Sequence, residues 1–339
     1  MQERPIRGRA RRRVDRNALL MLCILAALLA FSALRIPIKF FKLATFKSIA
    51  FQIPEISLLS LGMLLCMIAG GIDLSTIGIA NLSAVVCAKL LLQMPQESMG
   101  SMVAGIVASL LVGVLAGAFN GFLVGYIHIP AMLVTLSTLQ VFTGLALAIT
   151  KGPAITGIGE GFQQIANGTL LGVIPYSLIV LIACVILISF LLELTQYGTE
   201  LYLMGTNDTA SRYSGINNGW MSVRTYALSG LLSALAGVII CSHYGSAKSD
   251  YGSTYTLQTL LIVILGGANP NGGEGKPVDV VLAALILQVI SAIFSILRVN
   301  SFVKNAVHGG VLIAMILLKL LLTRWINARA GRGVRKLGD

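Results

Sequence analysis

The sequence predicts an all-α polytopic membrane protein of about ten transmembrane helices, and three observations predict it. Of its 339 residues, 56% are hydrophobic and only 11% charged, with a mean hydropathy of +0.87, beyond what a soluble domain keeps dissolved. Continuous apolar runs, long enough at ~20 residues to cross a ~30 Å hydrocarbon core, fill nearly the whole chain. They lack the two-residue alternation of a barrel, the other fold that satisfies every backbone group in lipid. Finally, basic clusters bracket the apolar body: Arg4, Arg7, Arg9, Arg11, Arg12, Arg13 and Arg16 precede it, and Arg324, Arg329, Arg332, Arg335 and Lys336 follow it. Both clusters on one side require an even number of crossings, and the positive-inside rule makes that side, with the N and C termini, cytoplasmic. The chain thus divides into a basic tail (1–18), one transmembrane domain (19–323) and a second basic tail (324–339).

The expected spans are 19–36, 50–69, 75–92, 102–126, 131–150, 171–192, 225–243, 256–265, 278–297 and 303–322. The first is a retained anchor and not a cleaved signal peptide, since its apolar run is long and Arg35-Ile36-Pro37 is no small-residue cleavage site. Its outer connection carries Arg35, Lys39, Lys42 and Lys47, against the charge rule that the tails obey. Spans two and three meet at Gly70-Gly71-Ile72-Asp73-Leu74-Ser75 with hardly any loop. An ionised carboxylate at a helix centre costs ~2.5–3.5 kcal/mol. Either Asp73 caps the next helix in a tight cytoplasmic turn, or a helix is broken inside the bilayer and its freed backbone lines a path.

Span four carries Gly105, Ser109, Gly113, Gly117, Gly121 and Gly125 at every fourth residue, a smooth helical face that lets another helix approach closely. It suits bundle packing, a dimer seam or a sliding surface. Ser229, Ser233, Gly237 and Cys241 form a weaker stripe in span seven. The eighth span is too short alone and is expected to recruit the polar residues before it. Between spans six and seven, residues 193–224 have a different texture: Asn207-Asp208-Thr209 offers capping chemistry, 210–213 can form about one helical turn, and Gly215 can stop it. A solvated loop is the plainer alternative.

Function classes narrow by exclusion. Asp73, Asn81, Asn120, Thr135, Thr138, Gln140, Gln258 and Gln288 are polar groups at membrane depth, mostly uncharged, and suit a hydrogen-bonding path for a neutral hydroxylated solute. Each equally fits an interhelical hydrogen bond. His128, His243 and His308 fall near span ends, and Glu55 is the only acid besides Asp73 near a span interior, so no acid–histidine relay for ion coupling is apparent. Gly272-Gly273-Glu274-Gly275-Lys276-Pro277 imitates a phosphate loop, but Pro270 and Pro277 occupy its required Gly and Ser/Thr positions. The chain is therefore expected to be no enzyme, to bind no cofactor or metal, and to take its energy elsewhere. Cys23, Cys66, Cys87, Cys184 and Cys241 lie in apolar spans without a C-x-x-C pair, as buried packing residues do. The net charge of +12 suits anionic lipid better than nucleic acid.

Several motifs in order resemble those of the membrane permeases of bacterial ATP-binding-cassette importers for ribose and related sugars, including autoinducer-2. Gly70 to Ser75 matches that family's G-G-I-D-L-S. Asn120-Gly121, Ile129-Pro130 and Thr135-Leu136-Ser137-Thr138-Leu139 are similar to its N-G, I-P and T-L-G-T-L. Gly205, Asn207, Ala210, Ser214, Gly215 and Ile216 follow G-x-N-x-x-A-x-x-x-S-G-I, and Leu265-Gly266-Gly267 with Gly272-Gly273-Glu274-Gly275 follows L-G-G and G-G-x-G. Departures occur at Thr76-Ile77-Gly78, at Leu257-Gln258-Thr259, and at Asp279 and Ala283.

The resemblance implies an inner-membrane subunit for a monosaccharide or similar hydroxylated solute. It implies a second permease subunit, alike or paralogous, two cytoplasmic ATPases that use ATP and Mg, and a periplasmic solute-binding protein docking on the outer segments 151–172, 245–255 and 298–305. Gly205, Asn207, Asp208, Ala210, Arg212, Ser214, Gly215 and Ile216 would form the ATPase-coupling segment. A carrier working alone is the rival reading.

Overall fold

Apolar runs become helices close to where the sequence places them, and the departures occur where polar side chains or glycines supply caps. The computed structural model describes residues 16–95, 98–170, 172, 174–300, 302–304, 306–307, 309–310 and 313. The basic head before Arg16, the basic tail and most of the expected span 303–322 lie outside the described residues.

In chain order, α1 (Arg16–Arg35) leads to the one-turn α2 (Pro37–Phe40), with proline at a first-turn position, where its missing N–H is no loss. Next, α3 (Leu43–Ile68) starts earlier than expected, runs through Lys47 and holds Pro54 in its interior. Then α4 (Thr76–Gln93), α5 (Met99–Gly125) and α6 (Ala131–Thr150) follow the expected spans closely. Beyond them come β1 (Ile155–Thr156), α7 (Glu160–Asn167), β2 (Thr169–Leu170), β3 (Ile174–Pro175), α8 (Tyr176–Leu194), α9 (Gln196–Thr206) and α10 (Asp208–Tyr213). The order ends with α11 (Asn218–Tyr244), β4 (Ser246–Ala247), α12 (Tyr255–Leu265) and α13 (Pro277–Ile296).

Three expectations are corrected. The sixth span begins at Tyr176 and not at 171, because β2 pairs antiparallel with β3 just ahead of it. Instead of 225, the seventh begins at Asn218, because Asn217 accepts the Trp220 N–H at 3.0 Å and caps a helix that polar residues alone did not advertise. Finally, the eighth recruits only Tyr255: α12 is 11 residues long, and the polar residues before it turn at Gly252.

Among the described residues, seven helices are long and apolar enough to cross a membrane: α3, α4, α5, α6, α8, α11 and α13. The molecule is a multi-pass helical membrane protein. Burial sorts these helices into layers, since the apolar window of α3 is 89% buried and that of α11 78%, against 28% for α5 and α6 and 22% for α8. Thus α3 and α11, together with α4 at 72%, form the centre. Around α11 pack α5, α3 and α4, while α3 also meets α13, α12 and α8. The outward faces of α5, α6 and α8 expose Leu115, Phe119, Leu133, Val141, Ile186 and Phe190, side chains suited to lipid. At the far end of α11, Ser242 Oγ donates to Phe162 O at 2.7 Å and accepts the Ala166 N–H at 2.9 Å, which fixes α7 there. Antiparallel pairing of β1 with β4 closes the same end.

Candidate functional site

The small-residue stripe of α5 faces α11. A Cβ added to Gly117 would stand 2.1 Å from Tyr226 O, one on Gly113 2.4 Å from Gly230 O, one on Gly121 2.6 Å from Val223 Cα and one on Gly125 2.6 Å from Gly219 O. Helix α11 answers with Gly230, itself pressed onto Gly113 O, and with Gly237 pressed onto Ala80 of α4. At the start of the stripe, Gly105 touches Cys87 and Leu91 of α4, and Ser109 is buried. Backbones in such direct contact gain dispersion energy that lipid tails cannot match with a side chain in the way.

Beside this seam lies a polar junction. Helix α3 ends in a Schellman turn: Gly70, at φ +88°, donates to Met67 O, and Gly71 donates to Cys66 O. A left-handed residue there is cheap only for glycine. Three residues on, Asp73 is fully buried. Its Oδ1 accepts from the Ser75 N–H at 3.0 Å and from Ser75 Oγ at 2.6 Å, while its Oδ2 accepts from Ser229 Oγ of α11 at 2.7 Å. Asn120 of α5 donates to Ser75 Oγ at 2.8 Å, and Thr135 of α6 donates to Ile72 O at 3.0 Å. The carboxyl therefore holds the start of α4, and also ties the α3–α4 break to a point about three turns into α11. Asp73 thus holds Ser75, the residue that precedes α4, and joins it to α11.

The structure joins Asp73, Asn120 and Thr135 at this junction. Thr138 is buried one turn along α6 and bonds Thr135 O at 3.4 Å. Asn81 lies elsewhere and donates to Ser249 O and Tyr251 O, both at 3.0 Å, which pins the loop after β4. Gln140 lies on the exposed face of α6, and Gln258 is half-buried on α12. Sequence reasoning missed Ser229 and Tyr226. The serine was legible only as part of a packing stripe, and the tyrosine carried no signal. A second buried pair was also missed: Glu55 of α3 meets His243 Nδ1 of α11 at 2.6 Å, while Gln288 donates to Gln52 at 2.6 Å nearby.

The segment between spans six and seven is helical, and the solvated-loop alternative is set aside. Asn207 accepts the Ala210 N–H at 2.9 Å and caps α10. Gly215, at φ +83°, ends it by the same Schellman pattern as Gly70, with Gly215 donating to Arg212 O and Ile216 to Ser211 O. Asn218 donates to Asp208 Oδ1 at 2.7 Å and to Asp208 O at 3.0 Å, so the short helix is strapped to the start of α11. This supplies the partner surface that six residues need to stay helical. Arg212 pairs with Asp208 at 3.1 Å and reaches His128 Nε2 at 3.3 Å. Outward, Tyr213 is 90% exposed.

Helix α9 carries this unit onto the α3–α4 break. Gly205 lies so close to Ile68 O that a Cβ would overlap it, and Gly273 donates to the same carbonyl at 2.9 Å. Gly272 packs on Gly205 and Gly70, and Tyr202 Oη donates to Gly275 O at 2.6 Å. The separate glycine motifs of the sequence are thus one contact: the break after α3, the end of α9 and the turn before α13 touch through bare backbone.

The bundle, with the short exposed helix α10 strapped to α11 beside the α3–α4 break, is that of a multi-pass membrane protein. Residues 45–319 match the family described as branched-chain amino acid transport system / permease component, and the chain belongs to that family. It is 37% identical over 269 residues to the ribose import permease protein of Bacillus subtilis (strain 168), covering 79% of this chain and 82% of that one. Over 297 residues it is 32% identical to the L-arabinose transport system permease protein of Escherichia coli (strain K12), covering 88% of each. The autoinducer 2 import system permease protein LsrD of Yersinia enterocolitica is 30% identical over 289 residues, 81% of this chain and 85% of that one. No solved structure matches.

Proposed function

We propose that this chain is the permease subunit of an ATP-binding-cassette importer for a monosaccharide or related small hydroxylated solute. The observation that carries the reading is α10: a capped, exposed helix bonded to α11 and joined through α9 to the Asp73 break, so that a push on its outer face reaches the interior as rigid-body motion. The names of the relatives, for ribose, L-arabinose and autoinducer 2, favour a sugar over the branched-chain amino acid of the family description. Uncharged hydroxyl and amide groups around Asp73 agree with such a cargo.

In this reading about ten helices cross the bacterial inner membrane, both termini are cytoplasmic, and a second permease subunit, alike or paralogous, completes the path. Two cytoplasmic ATPases hydrolyse Mg-bound ATP and press on α10, and a periplasmic solute-binding protein docks on the opposite face. Nucleotide then biases a two-state bundle. Copurification with a cytoplasmic ATPase and vanadate-sensitive uptake of labelled pentose, with leucine failing to compete, test the proposal. Uptake by this chain alone without nucleotide would establish the rival carrier instead. Substituting Gly215→Trp fills the left-handed position that ends α10, and the expected result is inserted protein with impaired uptake. Normal uptake in that variant would remove α10 from the coupling route.

A further inference from the structure

Between α10 and the ends of α5, α6 and α11 lies a cavity of about 260 Å³ that the transport reading does not use. Its size, just below the ~300–1,000 Å³ of drug-sized ligand sites, suits a compact occupant. Three features of its wall favour negative charge. Helix α6, 20 residues long, begins at its wall with Pro130 and Ala131 and no side chain capping its first turn, so the positive end of its dipole lies at the cavity. Arg212 stands at the mouth, and both of its contacts, to Asp208 Oδ2 and His128 Nε2, use the single nitrogen Nη2. At the inner end lies Tyr226, only 1% exposed, its hydroxyl without a partner among the described residues. That hydroxyl is held against Gly71, where an added Cβ would stand 2.5 Å from it. A buried phenol with nothing to bond is costly, and an acceptor in the cavity would satisfy it. Asp208 also lines the cavity and opposes an anion, but its carboxylate is already engaged by Arg212 and Asn218.

We propose that this cavity binds a small oxyanion, a phosphate or carboxylate group, between the Arg212 guanidinium, the first turn of α6 and the Tyr226 hydroxyl. His128 positions the arginine: its Nδ1 lies 3.0 Å from Tyr126 O, which places the ring proton there and leaves Nε2 to accept from Arg212. Binding requires nothing of the transport reading; only its consequence does, which is that an occupied cavity bridges α10 to α6 and restrains the coupling helix.

The test uses the purified full-length chain in detergent, titrated with inorganic phosphate against chloride at matched ionic strength, with thermal unfolding as the readout. A saturable rise in Tm with phosphate and not with chloride is expected. In Arg212→Gln the apparent phosphate Kd should rise about tenfold or more, in Tyr226→Phe by a smaller factor, and in Arg224→Gln, an exposed arginine outside the cavity, not at all. No saturable rise, or equal loss in the two arginine variants, would overturn the site. Arg212 is exposed, so its replacement leaves the fold available for measurement.

Discussion

Helix α11 is gripped on one side by the glycine seam of α5 and on the other by the hydrogen bonds of Asp73, and the two grips work by opposite means. Along the seam, Gly113, Gly117, Gly121 and Gly125 remove side chains so that backbone meets backbone. The contact has no alternative geometry, because sliding by one residue brings a side chain into the gap. At the junction, Asp73, Ser75, Ser229 and Asn120 exchange donors and acceptors, and hydroxyl rotors can re-pair after a small shift. The difference teaches that one helix is held by shape on one face and by directional bonds on another: α5 meets α11 through backbone, whereas the start of α4 is tied to it through side-chain groups.

That contrast can be broken or sharpened in four steps. Gly117→Leu should have the largest effect, destabilising by about 3 kcal/mol through overpacking against the Tyr226 carbonyl. Heat-resistant, detergent-extracted protein measures it, and a normally folded variant would remove the steric account of the seam. Asp73→Ala should cost about 2 kcal/mol, since the bonds it receives are lost and Ser229 and the Ser75 N–H are left buried without an acceptor. Asp73→Asn should recover part of that stability; no difference between the two would mean that the junction, too, is only packing. Ser229→Ala, which removes one donor, should cost about 1.5 kcal/mol by equilibrium unfolding in mixed micelles. At the bottom of the scale, Gly144→Ala in α6, where an added Cβ meets nothing within 4 Å, should stabilise by about 0.5 kcal/mol. Loss of stability there would show that glycine content as such, and not close approach, governs these helices.

Much of the junction could be read in advance, and the reason is local. A carboxylate within an apolar stretch and a fourfold glycine period are improbable in lipid without a partner, so Asp73 and the α5 stripe announce themselves. Ser229 and Tyr226 do not, because serine and tyrosine in a span are ordinary, and only the fold brings them to Asp73 and Gly71. The Glu55–His243 pair joins residues far apart in sequence, and neither neighbourhood names the other. Gln140 shows the converse: its chemistry fits a polar path, yet its place on α6 is on the exposed face.

By itself the sequence determined the solvent, the helical class, the helix ends at Gly70 and Gly215 and the family, since each follows from composition, run length or short motifs. Tertiary structure decided which helices lie at the centre, that α11 begins at Asn218, and that the scattered glycine motifs meet at one point. Those outcomes depend on packing between segments distant along the chain, where the free energy comes from the fit of two surfaces and neither surface alone encodes the other.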